Sequence, residues 1–265
     1  MSAGVSGPAF PGATSVSVLE VYGGRASDGL PGGTPHLHTV SAEAYVVVAG
    51  HGRLQTVDGS GFAEHPLEPG SLVWFEPGVI HRIVNEGGDL EVRVVMQNAG
   101  LPEAGDAVMT FPDDVLADPE RYRAAAALPA ADRPEAERLA AALARRDLAV
   151  EGFRSLFVDG TVEDGRLDHD RLARLHARAV ALVAPRAPEW RERWRSGALA
   201  AAQETGRRLD SLEQGRDPGL VDARVAQSPA ADAFGMCGRL RTYRTQPAGP
   251  THLVDPIDPT EEPHA

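Results

Sequence analysis

The sequence predicts a mainly β fold, a small antiparallel barrel or sandwich, followed by an α-helical C-terminal region. Two textures in the chain carry this prediction. From about Ser15 to Asn98, short runs rich in Val, Ile, Tyr, Trp and Phe alternate with Gly, Pro and Asp punctuation. From about Pro112 to Gly215 the composition shifts to Ala, Leu, Arg and Glu, which favours helix. The apolar runs, such as Tyr45 to Ala49, are far too short to cross a bilayer.

In chain order, the expected strands are Val16–Tyr22, His36–His38, Glu43–Ala49, Arg53–Val57, Ser71–Phe75, His81–Asn85 and Leu90–Gln97. Short strands at this spacing, with no long helical pattern between them, define the all-β class. Asp132-Arg133-Pro134-Glu135 reads as a helix start, with Asp132 as N-cap and Glu135 at the third helical position. A second helix is expected from near Asp168 to before Pro185, with Leu172, Leu175, Ala179, Leu182 and Val183 on one face. A third starts near Pro188 and carries Trp190 and Trp194, which read as packing residues.

A chain of 265 residues accommodates one large or two modest domains. The expected organisation is a flexible tail over 1–14, the barrel over 15–110, the helical region over 111–215 and an irregular tail over 216–265. Within that last segment, 234–245 is a candidate strand suited to an exposed barrel edge. Pro247 to Ala265 is rich in Pro and acid and is expected to be mobile. Met1 to Ser15 lacks a basic start and an apolar stretch, so it reads as a tail rather than a secretion signal. One cysteine, Cys237, excludes an intramolecular disulfide framework and a Cys-rich zinc module. The default location is cytoplasmic.

The net charge of -12 argues against general affinity for nucleic acid or anionic membranes. All 26 basic residues are arginine. The absence of lysine excludes Schiff-base chemistry, covalent pyridoxal phosphate and a P-loop lysine.

The informative segment is Pro35-His36-Leu37-His38-Thr39-Val40-Ser41-Ala42-Glu43, followed by Gly50. Residues two apart on a strand share a face, so His36 and His38 project together. Their Cα atoms lie roughly 6.5–7 Å apart at strand rise, a span two imidazoles can close onto one ion. In the second segment, Gly70 to Asn85, Pro77-Gly78 marks a turn and His81 opens the next strand. Three histidines and a carboxylate form an N/O set suited to Fe(II), Mn(II), Ni(II) or Zn(II).

These segments resemble the two motifs of the cupin superfamily, G-x5-H-x-H-x3–4-E-x6-G and G-x5-P-x-G-x2-H-x3-N. His36, His38, Glu43 and Gly50 fall on the first, and Gly70, Gly78, His81 and Asn85 on the second. Leu30 stands where the first motif opens with Gly, and Glu76 stands where the second has Pro. The resemblance implies a double-stranded β-helix, or jelly-roll-like barrel. It also implies one divalent ion, Fe(II) favoured, on His36, His38, Glu43 and His81, with Asn85 supporting the turn or strand end near His81.

The other histidines draw ordinary readings. His51 and His65 are assigned to exposed turns, and His252 and His264 to the tail. His169 and His176 share a helix face but lie about 10.5 Å apart along it, too far for one ion. Inside the barrel, Glu43 parity brings Tyr45 and Val47 inward, and His81 parity brings Ile83 inward and Arg82 outward. Tyr45, Gln55, Arg93 and Gln97 are the candidate substrate-binding residues, and Tyr45 is the candidate for proton transfer; Trp74 and Met96 are further lining candidates.

Three functions fit such a site. Four protein ligands on a six-coordinate ion leave two positions, enough for a chelating small-molecule substrate or for substrate and O2, as in dioxygenases. An isomerase or epimerase of sugars or polar metabolites uses the same ligands but needs a proton-transfer pair, and Tyr45 shows no partner. The third reading is a non-catalytic ligand-binding module. The helical region is expected to pack on the barrel, cover its mouth or form a homodimer contact, and the sequence leaves these three open.

Overall fold

The computed structural model describes residues 8–162 and 165–245. The expected C-terminal tail from Pro247, with His252 and His264, lies outside the described residues, as does the start of the N-terminal one. Among the described residues, eleven strands run in order: β1 (Ser15–Val21), β2 (His36–His38), β3 (Glu43–Ala49), β4 (Gly52–Asp58), β5 (Gly61–Leu67), β6 (Leu72–Phe75), β7 (Ile80–Val84), β8 (Glu91–Met96), β9 (Ala107–Met109), β10 (Ala230–Phe234) and β11 (Gly238–Tyr243). They form two antiparallel sheets, ordered β10-β11-β1-β8-β3-β6 and β5-β4-β7-β2-β9. Between β9 and β10 lie α1 (Asp113–Leu116), α2 (Pro119–Ala126), α3 (Glu135–Arg154), α4 (His169–Val183), α5 (Ala187–Trp194) and α6 (Ala200–Glu213). None of the described helices is long and apolar enough to cross a membrane.

Strand parity divides the chain into two cores. Tyr45, Val47, Leu54, Phe75, Ile83, Val92 and Val94 fill the space between the sheets. Leu37, Val57, Ile80 and Val108, on the other face of the second sheet, meet Phe111, Tyr122, Phe153, Phe157, Leu172 and Leu175 from the helical region. Each such aromatic or leucine side chain, fully buried, stabilises by roughly 1.5–3 kcal/mol. The helices therefore complete a sheet face that would otherwise be apolar and wet.

Helix α3 is held unusually close. A Cβ on Gly152 would stand 1.9 Å from the Thr110 carbonyl oxygen, so only glycine admits this approach. Arg145 and Arg146, both buried, point their forks at backbone carbonyls. Arg146 donates to Gly24 (2.7 Å) and Arg25 (2.9 Å), and Arg145 to Ala126 (3.0 Å) and Gly235 (3.2 Å). A planar guanidinium offers several fixed donors at once, which suits it to this stapling role.

Several local expectations are corrected. Asp132 does not cap α3, which starts at Glu135 without a side-chain cap. Arg133 precedes a proline and is steered away from helical backbone. Asp168 does cap α4, accepting from the amides of Asp170 and Arg171. Trp190 is buried and donates to the Ala104 carbonyl (3.2 Å), whereas Trp194 is exposed. His65 lies on β5, not in a turn; Pro66 disguised this strand, because an edge strand tolerates the missing amide. The candidate strand at 234–245 is a hairpin, β10 and β11, and β11 extends the first sheet along β1 from Ser17↔Thr242 to Val21↔Gly238. The stretch before β1 is docked rather than loose where described: Ala13 is buried and its carbonyl accepts from Ala99 (2.9 Å).

Candidate metal centre

Three neighbouring strands and the short turns between them bring the four candidate ligands together. His36 and His81 are direct cross-strand partners in β2 and β7, and β2 turns through 39–42 into β3, which opens with Glu43. All four residues are buried, and one potential ligand atom from each lies within 4.8 Å of all the others. His81 Nε2 is 3.1 Å from both His36 Nε2 and Glu43 Oε2, and His38 Nε2 is 3.2 Å from Glu43 Oε2.

The opposite edge of each ring explains why these nitrogens face one another. His36 Nδ1 meets the Thr34 carbonyl at 2.8 Å, His81 Nδ1 the Val79 carbonyl at 3.1 Å, and His38 Nδ1 the Asp106 carboxylate at 2.7 Å. Those acceptors take Nδ1–H, so Nε2 of each ring turns toward the cluster and, once deprotonated, offers it a lone pair. The three Nε2 atoms and the buried Glu43 Oε2 therefore converge, with the carboxylate oxygen within 3.2 Å of His38 and His81. A divalent ion among these four atoms would displace the proton that His38 shares with Glu43, so the donor set fits such an ion and can hold one.

The electrostatics agree with crowding around a shared centre. Burial, then the neighbouring His81 and His38 rings, push His36 well below its ordinary pKa. Burial would raise Glu43, but the His38 and His81 rings more than offset it and hold the carboxyl well below the usual range. Burial would lower His38, but Asp106 and Glu43 outweigh it and raise the ring to about 10.

Of the other predicted residues, Tyr45 and Met96 face the interior near Glu43 and His81. The Tyr45 ring lies 6.5 Å from His81 and 5.5 Å from Phe75, while Phe75 covers His81 at 4.2 Å. Burial and the Glu43 charge push the Tyr45 hydroxyl well above its ordinary pKa, and it makes no well-formed hydrogen bond. Gln55 is corrected: it pairs with Arg82 rather than His81, so it shares Arg82's outward face, and its amide donates to Glu64 at 2.9 Å. Arg82 points out of the barrel as parity predicts, yet it is buried against Asp28. Arg93, which the sequence allows on either face and favours outside, lies on the outer face beside Glu91 (2.5 Å). Gln97 follows β8, where it is exposed and braces the 39–42 turn through Ala42. Trp74 is 70% exposed on the outside. Asn85 bonds the Val21 carbonyl (2.9 Å) and the Leu90 amide (3.1 Å) at the far end of the barrel.

Sequence reasoning missed Asp106, which lies beyond both motifs, and the inward Thr56. Thr56 pairs with His81 in register and its hydroxyl lies 3.1 Å from His65 Nε2. A cleft of about 540 Å³, lined by Tyr22, Gly88, Asp89, Leu139 and Arg239 among others, opens at the end of the barrel away from the histidines. It contains none of the four clustered residues.

Two sheets closing over an inward three-histidine, one-glutamate cluster define a double-stranded β-helix barrel with a candidate metal centre. Residues 28–97 match the family described as Cupin domain, and this segment of the chain is a cupin domain. No curated protein sequence gives a significant match. Among solved structures, the chain resembles an uncharacterized conserved protein with a double-stranded β-helix domain from Klebsiella pneumoniae, at 17% identity and TM-score 0.27, covering 33% of this chain and 70% of that one. It also resembles the capsular polysaccharide assembling protein CapF from Staphylococcus aureus, at 20% identity and TM-score 0.24, covering 31% of this chain and 23% of that one. A third is WlaRA, a TDP-fucose-3,4-ketoisomerase from Campylobacter jejuni, at 12% identity and TM-score 0.26, covering 30% and 58%.

Proposed function

We propose that this protein is a metal-dependent enzyme acting on a small molecule, of the oxygen-using, dioxygenase-like type. The observation that carries the reading is the convergence of His36, His38 and His81 Nε2 with Glu43 Oε2, each ring fixed from behind through Nδ1. Fe(II) is the favoured ion; Mn(II), Ni(II) and Zn(II) suit the same donors. Such an ion supplies Lewis acidity and, as iron, one-electron chemistry with O2. The chain's own residues provide the rest. Phe75 shields His81 from water, and burial keeps the Tyr45 hydroxyl protonated at neutral pH. An isomerase would need a base paired with that acid, and the raised Tyr45 pKa does not supply one.

The test is elemental analysis of the purified protein, with and without reconstitution. About one divalent ion per chain is expected, lost in the His36→Ala, His81→Ala double variant. Oxygen uptake is then followed against small enols, thiols and carboxylates for each metal. Absence of metal under every condition overturns the site, and absence of uptake with a bound metal overturns the dioxygenase reading in favour of isomerase or binding module.

A further inference from the structure

We propose that His176, on α4, is a positioning residue for the metal centre, acting through the turn that presents His81; the proposal rests on the metal-site reading above. The three acceptors that orient the histidine rings are all secured by parts of the chain beyond residue 97. His38 is held by Asp106 itself. His36 is held by the Thr34 carbonyl, and Thr34 is anchored through its amide (3.1 Å) and hydroxyl (2.7 Å) to the Met236 carbonyl in the β10–β11 turn. His81 is held by the Val79 carbonyl, inside the 76–79 turn.

That turn is gripped on two sides. The Gly78 amide donates to the His38 carbonyl at 2.8 Å, and the Gly78 carbonyl accepts from His176 Nε2 at 3.1 Å. Gly78 has φ of 93°, in the left-handed region, and no neighbouring atom would limit a Cβ there. Packing therefore leaves this residue free, and hydrogen bonds fix it. The Gly78 carbonyl and the Val79 amide belong to one rigid peptide plane. Anchoring that carbonyl fixes the direction in which Val79 continues, and so the carbonyl that holds His81 Nδ1. Helix α4 is itself immobilised by Leu172, Leu175 and Ala179 in the helical core. The path from the helical region to the ligand thus runs α4, His176, Gly78, Val79, His81.

The experiment compares wild type with His176→Ala, His176→Gln and Arg178→Ala, the last removing an exposed α4 side chain that pairs with Asp113. Zn(II) affinity is measured by chelator competition, and amide exchange over 76–81 is measured on metal-free protein. His176→Ala should weaken Zn(II) by about tenfold or more, the scale of outer ligand supports, and speed exchange across the turn. His176→Gln, which keeps a side-chain N–H donor, should recover much of both, and Arg178→Ala should change neither. Wild-type exchange in His176→Ala overturns the proposal, as does an equal loss in Arg178→Ala or no recovery in His176→Gln. If wild type binds no Zn(II), the metal reading fails, and the exchange comparison still decides whether His176 holds the turn.

Discussion

Asp106 Oδ1 stands 2.7 Å from His38 Nδ1, although 68 residues separate them in sequence. Both groups are buried, so this contact fixes the ring's tautomer and rotation together. Asp106→Asn should lower metal affinity about 10–100-fold, read by chelator competition. Unchanged affinity would show that Asp106 is not an orienting group.

The same pair sets a pH response in metal-free protein. The His38 pKa is raised from 6.5 to about 10, because Asp106 and Glu43 outweigh burial. A raised folded-state pKa contributes stability that is complete below the unfolded value and fades as pH climbs through the folded one. Chelator-treated protein should therefore lose Tm from about pH 6.5 towards pH 10. A Tm that rises over this window contradicts the assignment.

The buried Arg82 pairs with the partly buried Asp28 outside the barrel interior. Asp28→Asn strands a guanidinium that the surrounding chain has enclosed, a change that costs about 3 kcal/mol or more. Urea unfolding measures it. Burial would raise the Asp28 carboxyl, but the Arg82 hydrogen bond and charge lower it below 3.8. The contribution is present above the ordinary aspartate range and disappears as pH falls beneath it. A neutral effect of the substitution at pH 7 contradicts this account.

Gly78→Ala places a side chain in left-handed backbone at the turn before His81. The strain costs about 1–2 kcal/mol. If the turn instead relaxes, His81 shifts and metal affinity falls. Calorimetry and chelator competition should together register a loss, and retention of both Tm and affinity sinks the argument for this turn.

The barrel and the cluster were legible because both depend on short-range periodicity. His36 and His38 share a face in any extended strand, and Pro77-Gly78 announces a turn close to His81. Gln55 was misread because its facing depends on whether residue 55 or 56 aligns with His81, which a single strand does not encode. Asp106, His176 and Met236 left no local trace; their contacts span 68, 98 and 202 positions. Pro66 concealed β5 for the opposite reason, by mimicking a strand end on an edge where its missing amide faces no neighbour.

The pairing of β11 with β1 carries a consequence for biosynthesis. Tyr22, just past β1, sends its hydroxyl to the Gly235 carbonyl 213 residues away. During translation, β1 and β8 can join while β1's other edge waits for residues 238–243 to emerge. The helical region is made in that interval, and the long loop must close before its final rungs are rewarded. Until then β1 presents an open flank, and the hairpin acts as a late stave, sealing it only once residues 230–243 have left the ribosome.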